Sequence, residues 1–187
     1  MKTAKFDSLT PEQKRITIAN DVLEQLRLRR FVATTGTWVR QLGRAAKKKV
    51  GEDVEVCDVT RKLKKCNVCA LGGMFIAAVE RADKLKGRDL QGGTDWDGTR
   101  VQLAQKDVFR YMEQFFSKKQ LQLIEAAFER GAGACNNTVA EEFCPVGLGP
   151  EERMRLIMEN IVANNGRFLP GKRPVLIWAT PGYEGAA

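Results

Sequence analysis

A chain of 187 residues with 43% apolar residues is long enough for one domain with a packed core, since about 150 residues already bury roughly 70% of their unfolded surface. No apolar run approaches the ~20 residues that cross a bilayer, and Met1 to Asp7 lacks the apolar stretch of a secretory signal, so a soluble cytoplasmic chain is expected. A net charge of +8 favours anionic partners, and the absence of histidine removes the commonest general base and zinc ligand.

Thr10-Pro11-Glu12-Gln13 is a capping box with proline at the first helical position, and Ile16, Ala19, Val22, Leu23 and Leu26 follow at helical spacing. Arg27, Arg29 and Arg30 crowd the last turn, where cations suit the helix dipole. Phe31 to Val39 (FVATTGTWV) predicts a short strand, or an extended loop, with a turn at Gly36. Val54 to Val59 is a second extended candidate that could pair with it, although the basic stretch between them is long for a hairpin.

Asn67 to Asp83 (NVCALGGMFIAAVERAD) is the most apolar segment and predicts a buried central helix, with Gly72 and Gly73 present to let another backbone approach. Asp89 to Thr99 reads as a loop. Gln105 to Phe116 and the stretch after Ser117-Lys118-Lys119-Gln120, a second capping box, predict a helical hairpin ended by Gly131 and Gly133. Ala134 to Gly149 is irregular, and Pro150-Glu151-Glu152 opens a last helix with Met154, Ile157, Met158 and Ile161 as its stripe. The expected fold is mainly α: a single domain over residues 1–187, with about five helices, a small β or extended element near residues 31–59, and residues 167–187 as an extended C-terminal arm.

Five cysteines (Cys57, Cys66, Cys69, Cys135 and Cys144) without a signal sequence argue against a disulfide scaffold. Cys66-Asn67-Val68-Cys69 has the spacing of half a zinc site, which Cys57, Cys135 or Cys144 could complete. The plainer expectation is that Cys69 starts the buried helix and packs as a small hydrophobe, with no metal or other cofactor bound. A thioredoxin-like redox role needs a strand ahead of the motif, and none is predicted there. Asp95-Trp96-Asp97-Gly98 fails as a calcium loop because Gly93 and Ala104 occupy its first and last ligand positions, and no phosphate-binding glycine motif occurs.

Two basic clusters, Arg44 with Lys47, Lys48 and Lys49, and Arg61 with Lys62, Lys64 and Lys65, bracket the second extended candidate and could form one positive surface. Trp38 and Arg40 lie just upstream, and an aromatic beside several cations suits bases and phosphates. Thr35 and Thr37, within Thr34 to Thr37, add hydroxyls and backbone amides for anion capture. Any one of these residues also fits a solvated face or a core tryptophan, and only their coincidence carries the site.

Four stretches, FVATTGTWV, NVCALGGMFIAAVE, FFSKKQLQLIEAAFE and ERMRLIMENIVANNGRFLP, together resemble a group of small accessory proteins of tailed phages that also occur in bacteria. The likeness runs through much of Phe31 to Pro170, while Lys47 to Lys49, Cys135 and Cys144 fall outside its pattern. The group carries no catalytic motif, so it assigns no site residue. The resemblance implies a non-enzymatic phage protein in the host cytoplasm. Such a protein would counter host defence by binding an anionic ligand, such as a signalling nucleotide, or a host defence protein. The alternative is a nucleic-acid-binding regulator, with or without a structural zinc; a cysteine-dependent redox enzyme is a third class. Homo-oligomers are compatible with each, and no membrane partner is expected.

Overall fold

The structure, a computed structural model, describes residues 6–41, 55–61, 64–82, 85–89, 105–130 and 137–171. Among them are seven α-helices and one three-stranded sheet. Five longer helices match the five expected from periodicity: α1 (Pro11–Arg27), α3 (Ala70–Ala82), α4 (Gln105–Met112), α5 (Lys118–Glu129) and α7 (Pro150–Ala163). Two short ones, α2 (Val56–Thr60) and α6 (Thr138–Glu141), carry no periodicity for a sequence to show. No helix among the described residues is long and apolar enough to cross a membrane.

Helix α3 is the centre of the fold. From Ala70 to Val79 every residue is buried, as an all-round apolar helix must be. Helices α1, α2, α4 and α5 pack around it, and α7 lies against α1 and α5. The capping box of α1 is closed: Thr10 Oγ1 accepts from the Gln13 N–H at 3.3 Å and Gln13 Oε1 accepts from the Thr10 N–H at 2.9 Å. Ser117 caps α5, its Oγ accepting from the Gln120 N–H at 3.3 Å, so the helical hairpin divides where the sequence placed it.

The sheet corrects two expectations. Val54 to Val59 is not the strand partner of the first extended segment: Val56–Thr60 is helix α2, and only Glu55 makes an isolated bridge, to Lys86. The partner is β3 (Cys66–Val68), cut from the head of the segment expected to be all helix. It lies between β1 (Phe31–Ala33), to which it is parallel, and β2 (Val39–Gln41), to which it is antiparallel. Cys66 and Val68 are buried on one face with half-buried Asn67 between them, but three residues are too short a run for this alternation to mark a strand.

Because β3 separates them, β1 and β2 are joined by an arch, Thr34 to Trp38, that crosses the end of β3. The Thr34 N–H donates to the Val68 carbonyl at 2.9 Å, and the Cys69 N–H donates to the Thr37 carbonyl at 2.7 Å. The arch rests on the first turn of α3. A Cβ on Gly72 would lie 1.6 Å from the Trp38 carbonyl oxygen, which is the close backbone approach its glycine was expected to serve. One on Gly73 would meet Phe31 at 3.5 Å, an ordinary contact, so this glycine serves no such approach.

The chain after α7 turns back onto the core. Asn165 and Gly166 take left-handed backbone (φ 52° and 78°), and Phe168 is fully buried against Phe143 with ring centroids 5.0 Å apart. The start of the expected C-terminal arm is therefore part of the core, while residues 172–187 lie outside the described residues.

Candidate functional site

The sheet register decides which of the sequence-selected residues meet. Lys64 and Lys65 run into Cys66, which pairs with Phe31 on one side and Gln41 on the other. Arg29 and Arg30 precede Phe31, and the Arg30 carbonyl accepts the Cys66 N–H at 3.0 Å, so Arg29 and Lys64 open neighbouring strands. Arg29 and Lys64 thus each stand two residues ahead of a register pair, Phe31 and Cys66. Arg40 pairs with Asn67 on the outer face of the sheet, two residues along β3 from Lys65. Arg61 joins the same end, its Nη2 donating to the Glu80 carbonyl at 2.9 Å near the C-terminus of α3.

Arg29, Arg40, Arg61, Lys64 and Lys65 are all exposed. The side chains of Arg29, Arg40, Lys64 and Lys65 make no hydrogen bond or ion pair among the described residues. Among the described acids, Asp58 is exposed on α2, and Glu80 and Asp21 both act on Arg30, raising its pKa. Glu80 is engaged: Arg30 donates to it through Nη1 at 3.1 Å and Nη2 at 2.6 Å, while Nη2 also reaches the Thr60 carbonyl at 2.6 Å. That half-buried pair fixes the base of the basic rim and leaves the rim itself with surplus positive charge. Lys47, Lys48, Lys49 and Lys62 lie outside the described residues.

Thr35, Thr37 and Trp38 do not join this rim. They sit in the arch beyond the far end of β3, roughly 10 Å away along three strand residues. Trp38 is half-buried, edge-on to Phe109 at 5.9 Å. The arch amide nearest to anion capture is already taken: Glu129 Oε2 accepts from the Gly36 N–H at 2.8 Å. Glu129 and Glu125, one turn apart on α5, are both buried, and burial pushes the Glu129 carboxyl above the ordinary 4.5, with Glu125 adding to the rise. Arg153 lies over the Phe128 ring at 5.7 Å and opposes it. Among the described residues, Lys64 and Lys65 thus lie at the other end of β3 from Trp38, whereas Arg40 stands two residues from it along β2.

The cysteines do not converge. Cys57, Cys66, Cys69 and Cys144 are buried and form no disulfide among the described residues. Cys66 faces Arg30 and Glu80, whereas Cys69 lies among Gly72, Glu125 and Glu129, at the other end of β3. No three acid, cysteine or histidine groups among the described residues could hold a metal ion, and Cys135 lies outside them. Burial pushes both the Cys66 and Cys69 thiols up to about 12, the reverse of the depressed pKa that thiolate redox chemistry requires, although β3 does supply a strand at the motif.

Two cavities take none of the rim cations into their walls. A groove of about 590 Å³ between α1, β1 and the start of α7 is lined by Leu23, Leu26, Arg27, Arg155, Glu151 and Glu152 among others, with charges of both signs. A second, of about 320 Å³, lies between Arg15, Ser117, Gln120 and Gly166. Arg29 belongs with the rim cations; in the sequence it reads as part of the last turn of α1, but the helix ends at Arg27.

No family model, no curated protein and no solved structure matches this chain.

Proposed function

We propose that this is a non-enzymatic binding protein that takes the phosphate backbone of duplex nucleic acid on the rim formed by Arg29, Arg40, Arg61, Lys64 and Lys65. The observation that carries the reading is a set of exposed cations in and just ahead of the paired strands, four of them without a protein partner among the described residues. An open edge suits an extended polyanion, whose binding is driven by release of condensed counterions. Single-strand binding draws on aromatic platforms, and Trp38 stands at the other end of β3. The net charge of +8 points the same way. In the phage setting that the sequence resemblance implies, such a protein would act on the nucleic acid that host defence reads.

The same cations would hold the phosphates of a defence signalling nucleotide, which is the second reading and the second arm of the test. Binding of a labelled duplex, a single strand and a cyclic dinucleotide is measured by anisotropy across a salt series, for the natural protein and for Arg40→Glu/Lys64→Glu/Lys65→Glu. The expected result is duplex binding that weakens with salt, by about 0.9 in log–log slope per phosphate contacted, and that charge reversal abolishes. Dinucleotide binding alone selects the second reading. Binding of neither, with a host protein co-purifying, returns the function to a protein-directed inhibitor.

A further inference from the structure

Helix α1 ends in a Schellman turn. The Arg30 N–H donates to the Gln25 carbonyl at 3.0 Å and the Arg29 N–H to the Leu26 carbonyl at 2.9 Å. This closure puts Arg29 at the position that glycine normally fills, with φ 55°, where Cβ crowds the following carbonyl oxygen.

Among the described residues, two other non-glycine residues share this backbone, and each has a local reason. Asn165 (φ 52°) is of a type that tolerates the left-handed region. Arg130 (φ 50°) closes α5 while its Nη1 donates to the Pro145 carbonyl at 3.0 Å, tying α5 to the segment before α7. Arg29 has neither reason: its side chain is exposed and bonds to nothing among the described residues. Arg29 stands two residues ahead of Phe31 in β1, as Lys64 stands two ahead of Cys66, the register partner of Phe31. Favourable charge at the end of α1 is already supplied by Arg27, and Arg30 stands just beyond.

We propose that Arg29 is a phosphate-contacting residue, held in a strained backbone position so that its guanidinium extends the basic rim past the edge of the sheet. This rests on the nucleic-acid reading above and adds one contact to it. Arginine at such a position forms paired hydrogen bonds with phosphate oxygens that the lysines beside it, as point charges, do not.

The test compares Arg29→Gly, Arg29→Gln and Arg29→Lys with Lys64→Gln/Lys65→Gln, measuring duplex affinity against salt and thermal melting on each. Arg29→Gly should melt roughly 1–3 °C higher, through relief of the left-handed strain, yet lose about 0.9 from its salt slope. Arg29→Gln should lose the same slope with no change in melting, and Arg29→Lys should keep it. Full binding and slope in the glycine and glutamine variants, with slope lost in the lysine pair, overturns the inference and leaves the rim standing. Melting below the natural protein in both Arg29→Gly and Arg29→Gln assigns the arginine to helix stability and also overturns it. Unchanged binding in every variant, the lysine pair included, instead defeats the rim reading itself.

Discussion

The side-chain amide of Gln120 holds the backbone of Phe168 at both ends. Its Nε2 donates to the Phe168 carbonyl at 2.9 Å, and its Oε1 accepts the Phe168 N–H at 2.7 Å. Asn160 repeats the pattern on the next residue, donating to the Leu169 carbonyl at 3.1 Å and accepting the Leu169 N–H at 2.8 Å. Two amides thus stand in for a neighbouring strand along a chain that has none. This also explains why the second capping box is only half made: Gln120 accepts no proton from the Ser117 N–H because its amide is engaged with Phe168.

Loss of this clamp should be costly in proportion to what it leaves buried. Gln120→Ala strands both backbone groups of a fully buried residue and should lower unfolding stability by about 1–3 kcal/mol. Phe168→Ala should lower it by about 3–5 kcal/mol, through a cavity against Phe143. Urea denaturation of the two variants checks both values, and near-natural stability of Gln120→Ala would show that the clamp contributes nothing.

The two adjacent glycines of α3 should behave oppositely. Gly72→Ala drives a methyl into the Trp38 carbonyl at 1.6 Å, and the backbone of the arch or of α3 must move, so a loss of at least about 3 kcal/mol or failure to fold is expected. Gly73→Ala finds ordinary contacts and gains helix propensity, so its stability should be unchanged or higher by up to about 1 kcal/mol. Thermal melting of the pair, produced in parallel, distinguishes them.

Stability should carry a pH signature from Glu129. Burial, the largest cause, raises its folded pKa above 4.5, with Glu125 adding to the rise, while the Gly36 N–H and Arg153 oppose it. The folded chain therefore holds this proton more tightly than the unfolded chain does. The resulting stabilisation is full below pH 4.5 and is lost as pH rises through the raised folded pKa. Glu129→Gln keeps an oxygen for the Gly36 N–H and removes the titration. Its melting temperature should fall less than that of the natural protein between about pH 5 and about pH 8. Parallel pH profiles for the two proteins would exclude Glu129 as the source.

Local sequence determined the elements whose signals are local. The capping box at Thr10, the cap at Ser117, the proline opening α7 and the apolar stripes located five helices, because capping bonds and the 3.6-residue period involve residues within four positions of one another. The nearly uninterrupted apolar stretch of α3 also announced its burial. Tertiary structure decided the rest. Strand β3 was invisible because it is only three residues long and runs straight into an apolar helix, so its single alternation of buried Cys66, half-buried Asn67 and buried Val68 does not stand out. Its insertion between β1 and β2 put Trp38 near one end of β3 and Lys64 and Lys65 at the other, an arrangement set by register over residues twenty-five or more positions apart. The left-handed backbone of Arg29 likewise follows from where α1 must stop for Phe31 to pair with Cys66, a constraint that no window around Arg29 contains.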